Sequence, residues 1–375
     1  MRYVGKLLKN RSKGLLSLAL FVFSLFGCAT ASVKETATAK VWNGGKVIFV
    51  SPKGSDRNSG LSAEEPLRTI NLALEKAYPG DTVVLMPGKY YQNITTVRSG
   101  TKDRPITIVG MPGAVIYGYK RRGGRIIQIR HSYITLMHLT VDGHFRNCEN
   151  IECYHDKLLY VKGSPDELLK GIRVLASRFE NAWGECLRFK FVEDGEIAWN
   201  QVSHCGLRDF VFGRGKQNGE GIYIGTAPEQ MPKGKLDRTN NLLVHHNSIA
   251  TYGSECIDVK EGSQSLKIFD NICSMNQAYH VGGISVRANN NLIEGNVVFK
   301  NKGSGIRLGG DTEEFGIYNE VVSNYLDANT FSALKVMRTP QKKICGNKAT
   351  PTNPRKFYPK KSKYAKEAFR PCTNR

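Results

Sequence analysis

The chain has 375 residues, a formal net charge of +21 and 40% hydrophobic residues, which is enough apolar content to bury a large core. A positive excess of this size favours an anionic partner. The sequence has no RNA- or DNA-binding motif and no aromatic-basic platform, which argues against nucleic acid. Its nine cysteines show no CxxC or Cys/His spacing that would indicate zinc.

The N-terminus has the features of an export signal. Five cations precede an apolar stretch at 15–26 that is too short to span a membrane as a mature helix. Residues 25–28 (Leu-Phe-Gly-Cys) resemble a bacterial lipobox, whose cysteine becomes the lipid-modified N-terminus. We therefore expect a lipoprotein signal peptide at 1–27 and a tether at 28–41. Ordinary signal-peptidase cleavage is the alternative.

Export determines the expected location and partner. A lipid on Cys28 would be the only contact with the membrane, in a cell-envelope lipoprotein of the outer membrane; an extracellular protein is the alternative. Outside the cytoplasm, an acidic polysaccharide is the anionic partner that we expect. We expect the chain to act as a monomer.

A strand–helix–strand block follows the tether. Residues 46–51 have the pattern of a strand, 66–77 have helical spacing with one apolar face, and 82–85 begin a second strand. We expect 42–100 to cap the repetitive region that follows and to supply its first turns, since an open end would leave an apolar core and strand edges bare.

One local pattern recurs from residue 187 to residue 337. It is a four-residue, period-2 strand whose first and third side chains are apolar, and successive units begin 35, 35, 27, 22 and 28 residues apart. Constant strands with loops of varying length indicate a coil whose strands stack. The units are Leu187–Lys190, Ile222–Gly225, Ile257–Lys260, Ile284–Arg287, Ile306–Gly309 and Leu334–Met337.

A series of asparagines stays in phase with these strands, each just after a strand-like run. Stacked asparagines at the corners of a coil can hydrogen-bond along its axis. We interpret 101–350 as an all-β, single-stranded right-handed parallel β-helix, with neighbouring turns about 4.8 Å apart. An antiparallel β-sandwich would need Asn-Gly hairpin turns, which occur only at 43–44 and 218–219. The asparagines are Asn200, Asn247, Asn271, Asn296, Asn324 and Asn347.

Two segments depart from the regular coil. Residues 143–168 form a long charged insertion, of the kind that often lines a binding face, and 351–375 form a basic C-terminal tail. In an exported chain we expect disulfides between Cys148 and Cys153 and between Cys345 and Cys372. Cys186 and Cys256 share a column but lie two turns apart, beyond disulfide reach.

Aligning the strands by turn places charged residues in outward columns. Lys260 and Arg287 should be neighbours on consecutive turns, with Asp258 and Glu255 beside Lys260. Glu185, Glu220 and Glu255 occupy one equivalent corner position. The first outward column holds Arg188, Tyr223, Asp258, Ser285, Arg307 and Lys335.

This constellation suits β-elimination from a uronic acid, which needs a base, a cation on the carboxylate and a proton donor for the leaving oxygen. An arginine disfavours the protonated form of a neighbouring lysine, which helps the lysine act as a base. The surrounding acids act in the opposite direction. A bound Ca²⁺ would neutralise those acids and hold the substrate carboxylate.

The segment from Glu255 to Gly262 and the segment from Ile284 to Asn296 resemble the core of the alginate lyase/chondroitinase B polysaccharide lyases, within the pectin lyase-like superfamily. Gly219 to Gly225 resembles the preceding turn. The resemblance implies that Lys260 is the base, Arg287 the acid and Glu255 a calcium ligand.

The remaining site residues are assigned by their place near that core. Gly253 stands where the family usually has a second acid. Glu220 and Asn247 are candidates for the family's asparagine ligand by their turn position alone, and Asp258 is a further candidate ligand. Candidate substrate-binding residues line the same face: Arg307, Tyr223, Arg188 and His280.

Two other functions compete with the lyase. A surface glycan-binding coil needs the basic face but no reactive lysine. A carbohydrate esterase is indicated by Gly206 to Gly213, which resembles an Asp-Phe-Ile-Phe-Gly strand of pectin methylesterases, although the rest of that family's machinery is not visible. A polygalacturonase-like hydrolase is disfavoured, because it needs clustered aspartates and the chain has no Asp-Asp pair.

Overall fold

The computed structural model describes residues 44–119, 124–215 and 218–373. The predicted signal peptide at 1–27, the tether at 28–41 and the lipidation site Cys28 lie outside these residues. No helix within them is long and apolar enough to cross a membrane.

The described residues form a parallel β-helix, as the repeated pattern predicts. Three long sheets run along the coil, and every ladder within them is parallel. After the first turn, in which the helix Ile70–Lys76 lies between two strands of sheet 1, the chain passes from sheet 1 to sheet 2 to sheet 3 and then begins the next turn. All six predicted units lie in sheet 3.

The strands are short, and their bounds by sheet are as follows. Sheet 1 contains Val47–Val50, Thr82–Leu85, Ile106–Gly110, Ile134–Met137, Arg173–Leu175, Glu196–Ala198, Leu243–His245, Lys267–Phe269, Leu292–Glu294, Glu320–Val322 and Lys343–Cys345. Sheet 2 contains Gly88–Tyr90, Ala114–Ile116, Thr140–Asp142, Arg178–Glu180, Gln201–Ser203, Ser248–Ala250, Ile272–Ser274, Val297–Phe299, Tyr325–Asp327 and Lys348–Ala349. Sheet 3 contains Ile94–Thr95, Arg125–Ile129, Lys157–Lys162, Leu187–Lys190, Ile222–Ile224, Ile257–Val259, Gly282–Val286, Ser304–Leu308, Leu334–Val336 and Phe357–Tyr358.

The remaining elements are small. A two-stranded ladder joins Leu169–Lys170 and Val192–Glu193. The α-helices are Ile70–Lys76 and Leu207–Phe210, and the 3₁₀ turns are Ile151–Cys153, Pro228–Gln230 and Lys363–Ala365.

The N-terminal helix is shorter than its apolar periodicity predicts. It begins at Ile70 rather than at 66, because Thr69 has an extended backbone and Leu67 forms a parallel bridge with Val50. The helix buries Ile70 and Leu74 in the same core as the first strands. Leu67 also belongs to that core, but it packs there from the β-bridge to Val50 rather than from the helix.

The predicted asparagine stack is formed at the corner between sheets 1 and 2. Each side-chain amide donates to the side-chain oxygen of the asparagine one turn further on, at 2.9 to 3.0 Å. The residue before each asparagine has a positive φ, for example His246 at 54° and Asp270 at 53°, which turns the chain sharply into sheet 2. A second stack, Asn276, Asn301, Asn329 and Asn353, was not predicted.

The predicted insertion at 143–168 contains a strand of the coil. Lys157–Lys162 lies in sheet 3 between Arg125–Ile129 and Leu187–Lys190, so the departure from regular turns ends before residue 157. The expectation of one continuous insertion was wrong, because charged residues on both sides hide the apolar core of this strand. Its inward residues Leu159 and Val161 are fully buried.

Four disulfides lie within the described residues. The pairs Cys148–Cys153 and Cys345–Cys372 confirm the two predicted bonds. Cys186 pairs with Cys205 and Cys256 pairs with Cys273, so Cys186 and Cys256 each bond within one turn rather than with each other. Four disulfides indicate folding in an oxidising compartment.

Part of the basic C-terminal segment closes the end of the coil. Phe357–Tyr358 adds a strand to sheet 3 beside Leu334–Val336. Tyr364 and Ala368 are buried, and the carbonyl of Ala368 accepts from the side-chain amide of Asn347, the last member of the stack. These contacts cover the apolar core where no further turn follows.

Candidate active site

The outward column predicted on sheet 3 is present in the structure. The ladder register aligns Arg188 with Tyr223, Tyr223 with Asp258, and Asp258 with Ser285. It continues from Ser285 to Arg307. Adjacent members are therefore one turn apart, as the strand spacing indicated.

Three carboxylates converge beside this column. Glu220, Glu255 and Asp258 are buried, and each offers an oxygen atom within 4.8 Å of those of the others. The corner position of the glutamates follows from the turn ladder, since Cys186 N donates to the carbonyl of Glu220 and Gly221 N to that of Glu255. Glu185, Glu220 and Glu255 are thus equivalent on successive turns.

Lys260 and Arg287 meet at one carboxylate. Lys260 Nζ lies 2.7 Å from Asp258 Oδ2, and Arg287 Nε lies 3.3 Å from Asp258 Oδ1. Arg287 also approaches Glu255 Oε1 at 3.5 Å and Asp311 Oδ1 at 3.3 Å. The structure therefore brings together the two cations that the turn alignment made neighbours.

The acids control the charge of the lysine. Burial raises the pKa of Asp258, but Lys260 and Arg287 outweigh burial and hold that pKa below its ordinary value. Burial lowers the pKa of Lys260, but the attraction of Asp258 outweighs burial and Arg287 and raises it above its ordinary value. Arg287 does lower the pKa of Lys260, as the sequence argument expected, but the acids that were expected to act in the opposite direction prevail, because Asp258 is in direct contact with the ammonium group.

Glu220 differs from its two neighbours because no cation of the described residues pairs with it. Its Oε2 accepts from the backbone N of Gly219 at 3.1 Å. Burial and the negative charges of Glu185 and Glu255 raise the pKa of Glu220, so that its carboxyl binds a proton more readily than usual. The three carboxylates supply up to six oxygens, which is a donor set that fits a hard cation such as Ca²⁺.

The equivalent corner one turn before Glu220 is fully paired. Glu185 Oε2 lies 2.8 Å from Lys157 Nζ, and Glu185 Oε1 accepts from Arg188 at 2.7 Å. Arg188 also donates to the side-chain oxygen of Gln230 at 2.8 Å. Lys157 Nζ also lies 2.6 Å from Asp156 Oδ2, so two cations face two carboxylates. We call this group the Glu185 cluster (Asp156, Lys157, Glu185, Arg188), and the next group the Glu220 cluster (Glu220, Glu255, Asp258, with Lys260 and Arg287).

Tyr223 lies between the two clusters. The Arg188 guanidinium is 4.2 Å from the centre of its ring, and Lys260 Nζ is 4.8 Å from it. The ring is buried, and burial raises the pKa of the phenol, which remains protonated near neutral pH. Tyr223 separates a permanent cation from the candidate base.

Beyond Arg287 the column continues as a cationic surface. Arg307 Nε and Nη1 are buried and have no hydrogen-bond partner among the described residues. Burial and Arg287 lower the pKa of Arg307, and burial with Arg307 lowers that of Lys335. Lys335 Nζ donates to the carbonyl of His280 at 3.0 Å, while the exposed ring of His280 packs edge-on against Tyr279.

Sequence reasoning missed three charged residues of this face. Glu261 is buried beside Lys260, with Oε2 unpartnered and its pKa raised by burial. Asp311 contacts Arg287, and Lys157 belongs to the strand hidden in the predicted insertion. Glu261 could have been identified because it directly follows Lys260 in the sequence. Nothing in the sequence of the loop that carries Asp311 indicated a contact with Arg287.

The segment that suggested an esterase has a different structure. Leu207–Phe210 is a single turn of helix rather than a strand, so that expectation was wrong. Asp209 accepts from Asn218 N at 2.7 Å and pairs with the adjacent Arg208. Those contacts hold the loop that follows the helix.

Sequence comparison finds short matches to two curated proteins. No protein-family model matches the chain. It is 40% identical over 77 residues to the uncharacterized protein YwoF of Bacillus subtilis, and 38% identical over 68 residues to the pectate lyase PEL9 of Emericella nidulans. These matches cover 20% and 18% of the chain, and the chain spans only 16% of each relative.

Solved structures match over most of the chain. An alginate lyase from Paenibacillus sp. str. FPU-7 superposes with a TM-score of 0.61 at 19% identity, covering 83% of this chain and 97% of that one. The pectate lyase Pel9A superposes with a TM-score of 0.53 at 14% identity, covering 83% and 78%. At these identities the likeness establishes the parallel β-helix fold, on which both lyases are built.

Proposed function

We propose that this chain is a polysaccharide lyase that cleaves a uronate-containing polysaccharide by β-elimination on the outward face of sheet 3. One observation carries the proposal: Lys260 and Arg287 bind the same carboxylate, Asp258, at the edge of three converging buried acids. The fold it shares with an alginate lyase and a pectate lyase supports the same reaction class.

The cations that lie beyond Lys260 and Arg287 would bind the substrate. The uronate carboxylate would accept hydrogen bonds from Arg307, because two buried nitrogens of its guanidinium have no partner within 44–119, 124–215 and 218–373. An unpaired buried cation is costly, and a carboxylate would provide the missing charge and acceptors. Arg188 and Tyr223 would contact the next sugar on the other side of Lys260, while His280 lies beside Lys335 at the far end of the cationic column.

In the proposed reaction Lys260 accepts one proton and Arg287 donates another. Lys260, once its ammonium proton is lost, takes the proton from C5 of the uronate. The electron pair of that C–H bond forms the C4–C5 double bond as the C4–O4 bond breaks. The departing O4 is an alkoxide, which is basic enough to take a proton from Arg287. Asp258 holds both nitrogen groups in place before the substrate arrives.

Lys260 must lose its ammonium proton before it can act as a base, and the attraction of Asp258 opposes that loss. Glu220, Glu255 and Asp258 would hold Ca²⁺, and when bound the ion supplies positive charge that offsets the carboxylates. With those acids neutralised, the attraction that now raises the pKa of Lys260 is weakened. Arg287 and burial would then both favour the neutral amine.

The cellular setting is part of the proposal. The export signal and Cys28 would place the enzyme in the cell envelope, anchored by lipid, as a monomer. The disulfides agree with export to an oxidising compartment. The basic surface would hold the acidic polymer near Lys260 and Arg287.

The test is the ultraviolet absorbance of the unsaturated uronate. Purified protein is mixed with alginate, pectate or chondroitin sulfate, with Ca²⁺ or with a chelator. We expect absorbance to rise with one of the polymers, and Lys260→Ala to reduce the rate by about 10²- to 10⁴-fold, the usual contribution of a general base. Lys267→Ala, an exposed lysine on sheet 1, is the matched control and should leave the rate unchanged.

The alternatives predict different products. A non-catalytic glycan-binding protein would bind the polymer and produce no absorbance, and an esterase would release methanol from esterified pectin. Equal rates for the wild type and Lys260→Ala would remove Lys260 from the mechanism.

A further inference from the structure

A notch interrupts the corner between sheets 1 and 2. His138, Ala176 and Trp199 occupy one equivalent position on consecutive turns, with φ values of 53°, 46° and 58°. Their backbone N atoms donate to Leu175, Ala198 and His245, which repeats one hydrogen-bond pattern from turn to turn. Because neighbouring turns are about 4.8 Å apart, the small side chain of Ala176 leaves a gap between an imidazole and an indole.

The gap is a cavity of ≈ 430 Å³. This volume lies in the range of small-molecule sites. His138 and Trp199 are exposed at its two ends, and Ala176 forms the floor. Polar side chains from sheet 2 line one side: Thr140, Arg178 and Gln201.

The indole is held in place from behind. Trp199 is 52% exposed, yet its ring packs edge-on against His245 with centroids 5.0 Å apart. His245 Nε2 lies 3.2 Å from Glu196 Oε1, and Glu196 Oε2 accepts from Arg173 Nε at 2.8 Å. A rigid aromatic surface loses little conformational entropy when a ligand binds to it.

We propose that this notch is an accessory binding site for a pyranose unit of an acidic polysaccharide. The aromatic walls offer apolar faces that match the C–H faces of a sugar ring. Thr140 and Gln201 offer hydrogen-bonding groups for hydroxyls. Arg178 uses Nη2 to bind Glu180 at 2.7 Å, but its side chain is 55% exposed, so its other donors face solvent and suit a uronate carboxylate.

The notch is separate from the candidate active site. The corner between sheets 1 and 2 is the one that does not border sheet 3, so a sugar held there lies away from Lys260. A second contact raises the effective concentration of a long polymer at the candidate active site without taking part in the reaction. The acidic nature of the ligand rests on the proposed function, whereas the existence of a sugar site rests on the notch alone.

The experiment measures the affinity for short oligouronates by calorimetry. It uses an Arg307→Ala background, which weakens binding on sheet 3. Trp199→Ala removes one wall, and Ala176→His fills the notch with a residue that the same backbone position accepts at His138. We expect each change to raise the Kd at least tenfold. Tyr318→Ala is the control, since this exposed tyrosine has a φ of 57° and lies elsewhere.

Several outcomes separate this inference from the proposed lyase. Unchanged Kd values for Trp199→Ala and Ala176→His, in variants with the thermal midpoint of the parent, would overturn the site. If the notch binds a neutral glycan such as dextran as tightly as it binds oligouronates, the proposal that its ligand is acidic is overturned. If no polymer is cleaved but Trp199→Ala still loses binding, the lyase proposal fails and the notch stands. With Arg307 intact, Trp199→Ala should turn over short oligomers at the wild-type rate and dilute polymer more slowly.

Discussion

The Glu185 cluster and the Glu220 cluster occupy the same corner of successive turns, yet they differ in charge balance. In the Glu185 cluster two cations face two carboxylates: Glu185 lies 2.8 and 2.7 Å from Lys157 and Arg188, and Lys157 also pairs with Asp156. The Glu220 cluster has three carboxylates for two cations, and no cation of the described residues pairs with Glu220 itself. A buried cluster whose positive and negative charges balance serves the fold, whereas a cluster with an excess carboxylate can still bind a cation.

The largest expected effect is on the balanced cluster. Glu185→Gln leaves the buried Arg188 guanidinium without its carboxylate partner, while Lys157 keeps Asp156, so we expect a loss of about 3–5 kcal/mol in the free energy of unfolding. Glu220→Gln in the absence of Ca²⁺ should cost far less, because a raised pKa already favours the neutral carboxyl. Denaturant unfolding of both variants measures the difference. Equal losses would show that the two corners are not distinct.

Calcium should act only on the unbalanced cluster. A ligand that binds only the folded state at 100 times its Kd stabilises it by about 2.7 kcal/mol. We expect Ca²⁺ to raise the thermal midpoint of the wild type and a chelator to reverse the rise. Glu220→Gln should lose most of this response, while Glu294→Gln, an exposed acid on sheet 1, should retain it. A wild type that does not respond would argue against a calcium site.

Arg307 tests whether the unpartnered cations bind substrate. Arg307→Gln removes a charged hydrogen-bond donor worth about 1.5–3 kcal/mol, so we expect kcat/KM to fall by about 10- to 100-fold. Most of the change should appear in KM, because this interaction exists before the reaction begins. Arg355→Gln is the control for loss of an exposed cation. A fall in kcat alone would place Arg307 among the reacting groups instead.

The smallest effect is the pH dependence of the Glu185 cluster. Burial raises the pKa of Glu185, but Lys157 and Arg188 outweigh it and lower the pKa below its ordinary value of about 4.3. The stabilisation is therefore complete above that value and is lost as the pH falls through the lower pKa of the folded state. The gap in stability between the wild type and Glu185→Gln should narrow as the pH falls below about 4. A constant gap would mean that packing, not charge, causes the loss.

Much of the fold was predictable from the sequence. The period-2 strands of sheet 3 and the asparagines at the corner repeat in phase, which is sufficient to align one turn with the next. The strand Lys157–Lys162 was missed because its neighbours are charged and its spacing is masked by a long loop. The helix at 66–77 was overestimated, since Leu67 serves a bridge to Val50 instead.

The candidate site, like the fold, was only partly predictable from the sequence. The sequence by itself determined that Lys260, Arg287 and Asp258 share one face, because side chains in a strand alternate and stacked turns keep their register. Only the tertiary structure decided that Asp258 favours the charged form of Lys260, that no cation of the described residues pairs with Glu220, and that Ala176 opens a notch beside Trp199. Ionisation and cavities depend on separations of a few ångströms between residues that are far apart in the chain, and the spacing of residues along a sequence does not specify those distances.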